Sequence, residues 1–226
     1  MSTRFSIEIV EQGWIAPDAG DEDLCSHGRI RLVIEDETIL DGGPDVGVGV
    51  SETALALLRT LDSDHTRDAP VAERLVFHGC GMILMLGCYM GVDWEVHHDG
   101  DQVQLSKVCV DDGPAQNIAT TLTRNEYEGA LLAFADEATQ PFRGVTKRVT
   151  GEFERDQYQA FWGEYNQILG NHGAPTFAAR AVFARRASKR RRFRRKVDAV
   201  EEIWVWQEPS SDAERAFDPL LLTIHR

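Results

Sequence analysis

Four residues of this chain have side chains and spacing suited to holding a metal ion. The stretches Asp23-Leu24-Cys25-Ser26-His27 and Phe77-His78-Gly79-Cys80 each set a thiol and an imidazole two positions apart. In extended chain, residues i and i+2 point to the same side. Each pair would then present two ligands together, and two such pairs facing each other make a tetrahedral Cys2His2 zinc site with metal–sulfur distances of about 2.3 Å. The spacing is that of no standard zinc motif, and none of Cys25, Cys80, Cys88 and Cys109 forms a Cys-x-x-Cys pair. The same residues offer a second chemistry, because a nucleophilic thiolate needs a nearby base and His27 or His78 could supply it. The plainer reading is burial: cysteine behaves as a small hydrophobe, and glycine-flanked cysteines in the run from Phe77 to Gly91 suit a core strand.

A second candidate lies just beyond that run. The stretch Val92 to Val108 reads as a hairpin turning at Asp99-Gly100, with His98 opposite Asp101, Val96 opposite Val103 and Trp94 opposite Leu105. That alternation sends Asp93, Glu95 and His97 to one polar face, where carboxylates beside an imidazole can bind a divalent cation or move protons. A solvent-facing side of a two-stranded ribbon has the same composition.

The third candidate is electrostatic. Arg185 to Lys196 holds nine of the 24 Lys and Arg residues and no acid, while the whole chain carries 37 acidic residues and a formal charge of −13. Within it, Arg185, Arg186, Arg190, Arg191, Arg192, Arg194 and Arg195 are the groups that would meet phosphates, an acidic partner or the chain's own acidic surface. Nucleic acid is one expected partner for this segment, although the acidic remainder would repel a polyanion at long range.

The elements that must position these groups follow from periodicity. Phe5, Ile7 and Ile9 alternate with polar residues, as do Ile30, Leu32 and Ile34, which predicts two strands before a short third one. Ser51 reads as the N-cap of a helix from Glu52 to about Leu61, with Ala54, Leu55, Leu58 and Leu61 on one face. Thr123 and Glu126 form a capping box before a helix striped by Tyr127, Leu131, Phe134 and Ala138, and Pro141 stops it. A third helix spans about Glu154 to Leu169, with Gly170 as its stop. Beyond Pro175 an Ala- and Arg-rich segment reads as helical to about Val197, followed by two strands.

The fold these elements imply is α+β: a mainly antiparallel sheet with three or four helices packed on it. A soft boundary near residue 140 divides a strand-rich half from a helix-rich one, with no flexible linker, so one continuous fold of 226 residues is expected. Hydrophobic residues make up 42% and charged residues 27%, too apolar for a disordered chain. No apolar run reaches the roughly 18 residues of a membrane span, and no secretory leader opens the chain, so a cytoplasmic location away from membranes is expected. The Gly-rich stretch Asp41 to Thr53 lacks the lysine and spacing of a phosphate loop.

Charge therefore carries the functional expectation. An acidic body can sequester a basic protein partner, by the logic of antitoxin and immunity proteins, because complementary charge speeds encounter and suppresses wrong partners. The alternatives are a zinc enzyme or sensor built on Cys25, His27, His78 and Cys80, and nucleic-acid binding through residues 185–196.

Overall fold

The computed structural model describes residues 4–16, 18, 20–43, 47–66, 74–77, 91–111, 113–184, 201–205 and 221–224. The first sheet has β1 (Phe5–Gly13), β2 (His27–Ile34) and β3 (Glu37–Asp41) in that order, with β4 (Val48–Gly49) pairing the start of β2. All of these pairs are antiparallel. Phe5 and Ile7 turn inward and Glu8 outward, as the alternation of the sequence requires. Glu35 and Asp36 close the β2–β3 hairpin at φ 52° and 63°, a left-handed pair that twists the turn to match its strands.

Helix α1 (Val50–Arg59) follows β4 directly. Its N-cap is Gly49 rather than Ser51, which occupies the second helical position. Ser51 is displaced from the capping role because its hydroxyl is used by the chain entering β2, where it accepts the Ser26 amide at 3.0 Å. Every residue from Val50 to Leu58 is buried, so the expected stripe widens into a helix enclosed on all sides at its start.

The second sheet runs β5 (Val76–Phe77), β6 (Gly91–Asp99), β7 (Gln102–Val110), β8 (Ala119–Thr123). The hairpin turns at Gly100-Asp101 instead of Asp99-Gly100: Asp99 pairs with Gln102, His98 with Val103 and Val96 with Leu105. Only Gly100 takes a positive φ, 58°, as when glycine leads a two-residue turn. This slides the expected register by two residues, which preserves the faces and keeps Val96, Val103 and Leu105 buried. A bulge then sets Lys107 and Val108 against Trp94, with Lys107 at φ 53°.

Helix α2 (Arg124–Ala138) begins at the capping box read from the sequence, with Glu126 N donating to Thr123 Oγ1 and Thr123 N to Glu126 Oε2. A single 3-10 turn, Gln140–Phe142, ends the segment. Helix α3 (Glu152–Asn171) runs two residues past its expected end, because Gly173 at φ 66° and not Gly170 supplies the left-handed residue. Helix α1 packs on α2 and α3, and α2 lies along β1.

The third sheet has the order β12 (Leu221–Ile224), β11 (Glu201–Val205), β10 (Arg180–Ala184), β9 (Thr146–Val149). Here the sequence reading fails: Arg180–Ala184 is a strand, not the start of a fourth helix. Its neighbours decide this, since β9 pairs it in parallel and β11 antiparallel, and Ala181 and Phe183 take the buried side. Residues 176–179 of that expected helix are not helical either, and residues 185–197 lie outside the described residues. Among the described residues, three α-helices on sheets that are antiparallel except at β9–β10 make the fold α+β.

The buried cluster extends from Phe5 to Phe183 and draws side chains from both sides of residue 140. Its densest part is aromatic, with Trp162 against Phe142, Phe161, Tyr165 and Phe177 at centroid separations of 4.8 to 5.3 Å. Tyr165 anchors this group to α2 by donating to Ala135 O at 2.7 Å.

Candidate functional site

Cys25 and His27 are placed by the segment that carries the chain into β2. Asp23 shapes it: one carboxylate oxygen accepts the Cys25 amide at 3.2 Å and the other accepts the Ile15 amide at 2.8 Å. Ser26 O then accepts the Val50 amide at 2.8 Å, which fixes the start of α1 against it. Gln12 completes the frame, donating to Ser26 Oγ at 2.8 Å and to Ala138 O at 2.9 Å.

Within this frame the thiol and the imidazole take separate partners. His27 Nε2 lies 3.4 Å from Asp23 Oδ2 and makes no better contact, so this is an ion-pair contact and not a well-formed hydrogen bond. The Asp23 carboxylate raises the His27 pKa, against the opposing pull of burial. Burial acts to raise Asp23, but His27 and the Ile15 and Cys25 amides outweigh it and hold that carboxyl below its usual 3.8.

Cys25 faces Glu52 instead. Burial first, then the neighbouring carboxyl, push the thiol far above its ordinary range. Glu52, in the first turn of α1, is raised by burial against bonds from Cys25 and Ser51, whose hydroxyl donates to Oε2 at 2.7 Å. A thiol that burial keeps protonated is a poor nucleophile. His78 and Cys80 lie outside the described residues, as does the run from His78 to Met90. Among the described residues no group of three His, Cys, Asp or Glu side chains is placed to hold a metal ion.

A buried lysine joins the same cluster from β9. Lys147 donates to Gly20 O and to Asp23 O, each at 2.7 Å, and its nitrogen sits 3.1 Å from the centre of the Trp14 ring. Removal from water lowers its pKa to about 7, a pull that Asp23 partly offsets. Sequence reading passed over Lys147, although the alternation Val145, Lys147, Val149 does place it on the apolar side of a strand. Glu52 left no comparable trace, since a glutamate in a first helical turn reads as a surface group favoured by the helix dipole.

The hairpin row grades from buried to exposed along β6. Asp93 is buried under His65 and Leu75, with Oδ1 at 2.8 Å from His65 Nε2 and accepting the Leu75 amide at 3.3 Å. Glu95 pairs with Lys107 at 2.9 Å, and His97, exposed, with Asp64 at 2.7 Å. Asp93, Glu95 and His97 therefore have three different partners. The basic residues Arg185, Arg186, Arg190, Arg191, Arg192, Arg194 and Arg195 lie outside the described residues, between the paired ends Ala184 and Glu201 of β10 and β11.

Six of the described arginines pair with carboxylates of the same chain, while Arg31 and Arg180, also exposed, have no carboxylate partner among the described residues. Arg4 pairs with Glu126, Arg29 with Glu11, Arg59 with Glu164, Arg143 with Asp136, Arg148 with Asp21 and Glu22, and Arg155 with Asp156. No helix among the described residues is long and apolar enough to cross a membrane. Comparison with protein-family models, with curated proteins and with solved structures finds no match to this chain.

Proposed function

We propose that this chain is a non-enzymatic binding protein that recognises a basic protein partner through its acidic surface. One observation carries the reading: Arg4, Arg29, Arg59, Lys107, Arg143, Arg148 and Arg155 are each engaged by a carboxylate of the same chain. Each such pair cancels one positive and one negative charge, so the excess of 37 acidic over 24 basic residues is carried by carboxylates outside these pairs. Exposed carboxylates at the hairpin ends, Glu35, Glu37, Asp99 and Asp101, project that surplus outward. The test is calorimetric titration with a polyarginine peptide at low ionic strength, with a polyglutamate peptide as control. Micromolar or tighter binding of the first alone supports the reading, and no binding of polyarginine would remove it.

A second reading rests on composition: residues 185–196 hold nine Lys and Arg residues and no acid. Such a run can contact nucleic-acid phosphates. Replacing Arg190, Arg191, Arg192, Arg194 and Arg195 by Gln should then weaken single-strand and duplex binding and flatten its salt dependence. Equal affinities for the two chains would eliminate this reading.

A further inference from the structure

Four carboxylates, Glu35, Asp36, Glu37 and Asp41, fall within the nine residues from Glu35 to Gly43, and no Lys or Arg lies among them. Strand β3 carries the last two and also ends its sheet. β2 pairs it on one side, and among the described residues no backbone hydrogen bond reaches it on the other. Other strand borders have cover. β9 has the Asp21 carbonyl accepting the Arg148 amide at 2.6 Å, β8 has the Arg4 guanidinium donating to Thr121 O at 2.8 Å, and β1 lies against α2. An uncovered border presents amides and carbonyls spaced to receive a further strand.

The side chains of β3 decide what that strand can be. Glu37, Thr38 and Asp41 are exposed, while Ile39 and Leu40 pack in part against the core and hold β3 to the body of the protein. Ile39 is the extra residue of a bulge, since Leu32 pairs with Leu40 and Val33 with Thr38. The cation nearest in register is Arg31, opposite Asp41 on one side and Glu8 on the other. One arginine between two carboxylates leaves that row negative. A second copy of β3 would set its carboxylates against these, and like charges directly opposed destabilise a pair of strands. A strand with Lys or Arg at alternate positions would bring opposite charge to them, at a cross-strand separation of about 5 Å.

We propose that the outer border of β3 receives an extended basic segment of the partner as an added strand. Strand addition rests on recognition by charge: the carboxylates choose the sign of the partner, and the open backbone of β3 sets its conformation and supplies main-chain hydrogen bonds. Charge alone accepts any basic chain. Strand addition accepts only a chain whose own amides and carbonyls are available to the ladder.

The test uses the natural chain, so no variant has to fold. Its probe is a blocked peptide of alternating Arg and Thr, about eight residues long so that it spans β3 at about 3.3 Å per residue. Its control is the same peptide with every backbone nitrogen methylated, which keeps the charge and cannot donate to a ladder. Affinities come from calorimetry at low ionic strength, and seating from amide hydrogen exchange of β3 with and without saturating peptide. The unmethylated peptide should bind at least about tenfold more tightly than its control. It alone should slow exchange, at least about tenfold, at the β3 amides that face away from β2. Equal affinity of the two peptides, or binding without protection of β3, would overturn strand addition and leave recognition by charge standing. Binding of neither would overturn both. Protection of β3 that rises with protein concentration in the absence of peptide would also overturn the proposal, by placing a second copy of the chain on that border.

Discussion

The carboxyls, imidazole and thiol around the start of β2 make residue-scale predictions because their pKa values move in opposite directions. Asp23, held below 3.8 by His27 and two amides, contributes stability above 3.8 that is lost as pH falls through its lower folded value. His27, raised above 6.5 by Asp23, contributes stability that is complete below 6.5 and is lost as pH rises through its higher folded value. His27→Gln should therefore cost about 1 kcal/mol near pH 6 and progressively less at alkaline pH, measured by urea unfolding. Glu52, raised above 4.5 by burial, works against the fold at neutral pH, where its carboxyl must ionise or hold a proton at a cost. Glu52→Gln, which keeps an acceptor for Ser51, should leave stability at pH 8 equal or higher; a loss of more than about 2 kcal/mol there would contradict the account. Cys25, fully buried, should be unreactive toward a thiol reagent in the folded chain. The natural protein and Cys25→Ala are expected to titrate the same number of thiols when folded, and to differ by one when denatured.

At the scale of elements, two local features carry measurable weight. A Cβ on Gly28 would fall 1.9 Å from Glu11 O, where β1 bulges against β2, so Gly28→Ala must push these strands apart. A loss of several kcal/mol, or failure to fold, is expected. Thr123→Ala removes the capping hydroxyl of α2 and should cost about 1 kcal/mol. The capping box, the stripe of α2 and the alternation of β1 and β2 were legible because each depends on residues within one turn or one strand. What was not legible depended on distant partners. Arg180–Ala184 has helical composition and becomes a strand because β9 and β11 flank it. Asp93 follows the polar period of its strand and is buried because His65 and Leu75, from a preceding segment, cover that end of the face, which no local signal announces. Cys25 and His27 were recognisable as reactive types, but their partners, Glu52 and Asp23, are set by how α1 meets β2 and by how the preceding loop folds back on itself.

For the molecule as a whole, composition gave the sign of the charge and the structure gave its distribution. Isolated surface ion pairs add little stability, about 0 to 1 kcal/mol each. Their larger effect here is to neutralise the cations locally and leave unbalanced carboxylates at the hairpin ends. Replacing Glu35, Glu37, Asp99 and Asp101 together by Lys should leave the fold intact, since all four are exposed, and weaken binding of a basic partner at least about tenfold. The central claim is recognition by charge, and the salt dependence of binding tests it most directly. The account predicts that affinity for a polyarginine peptide falls at least about tenfold between 20 mM and 150 mM salt, as screening shortens the reach of the acidic surface. An affinity that stays constant across that range would contradict it.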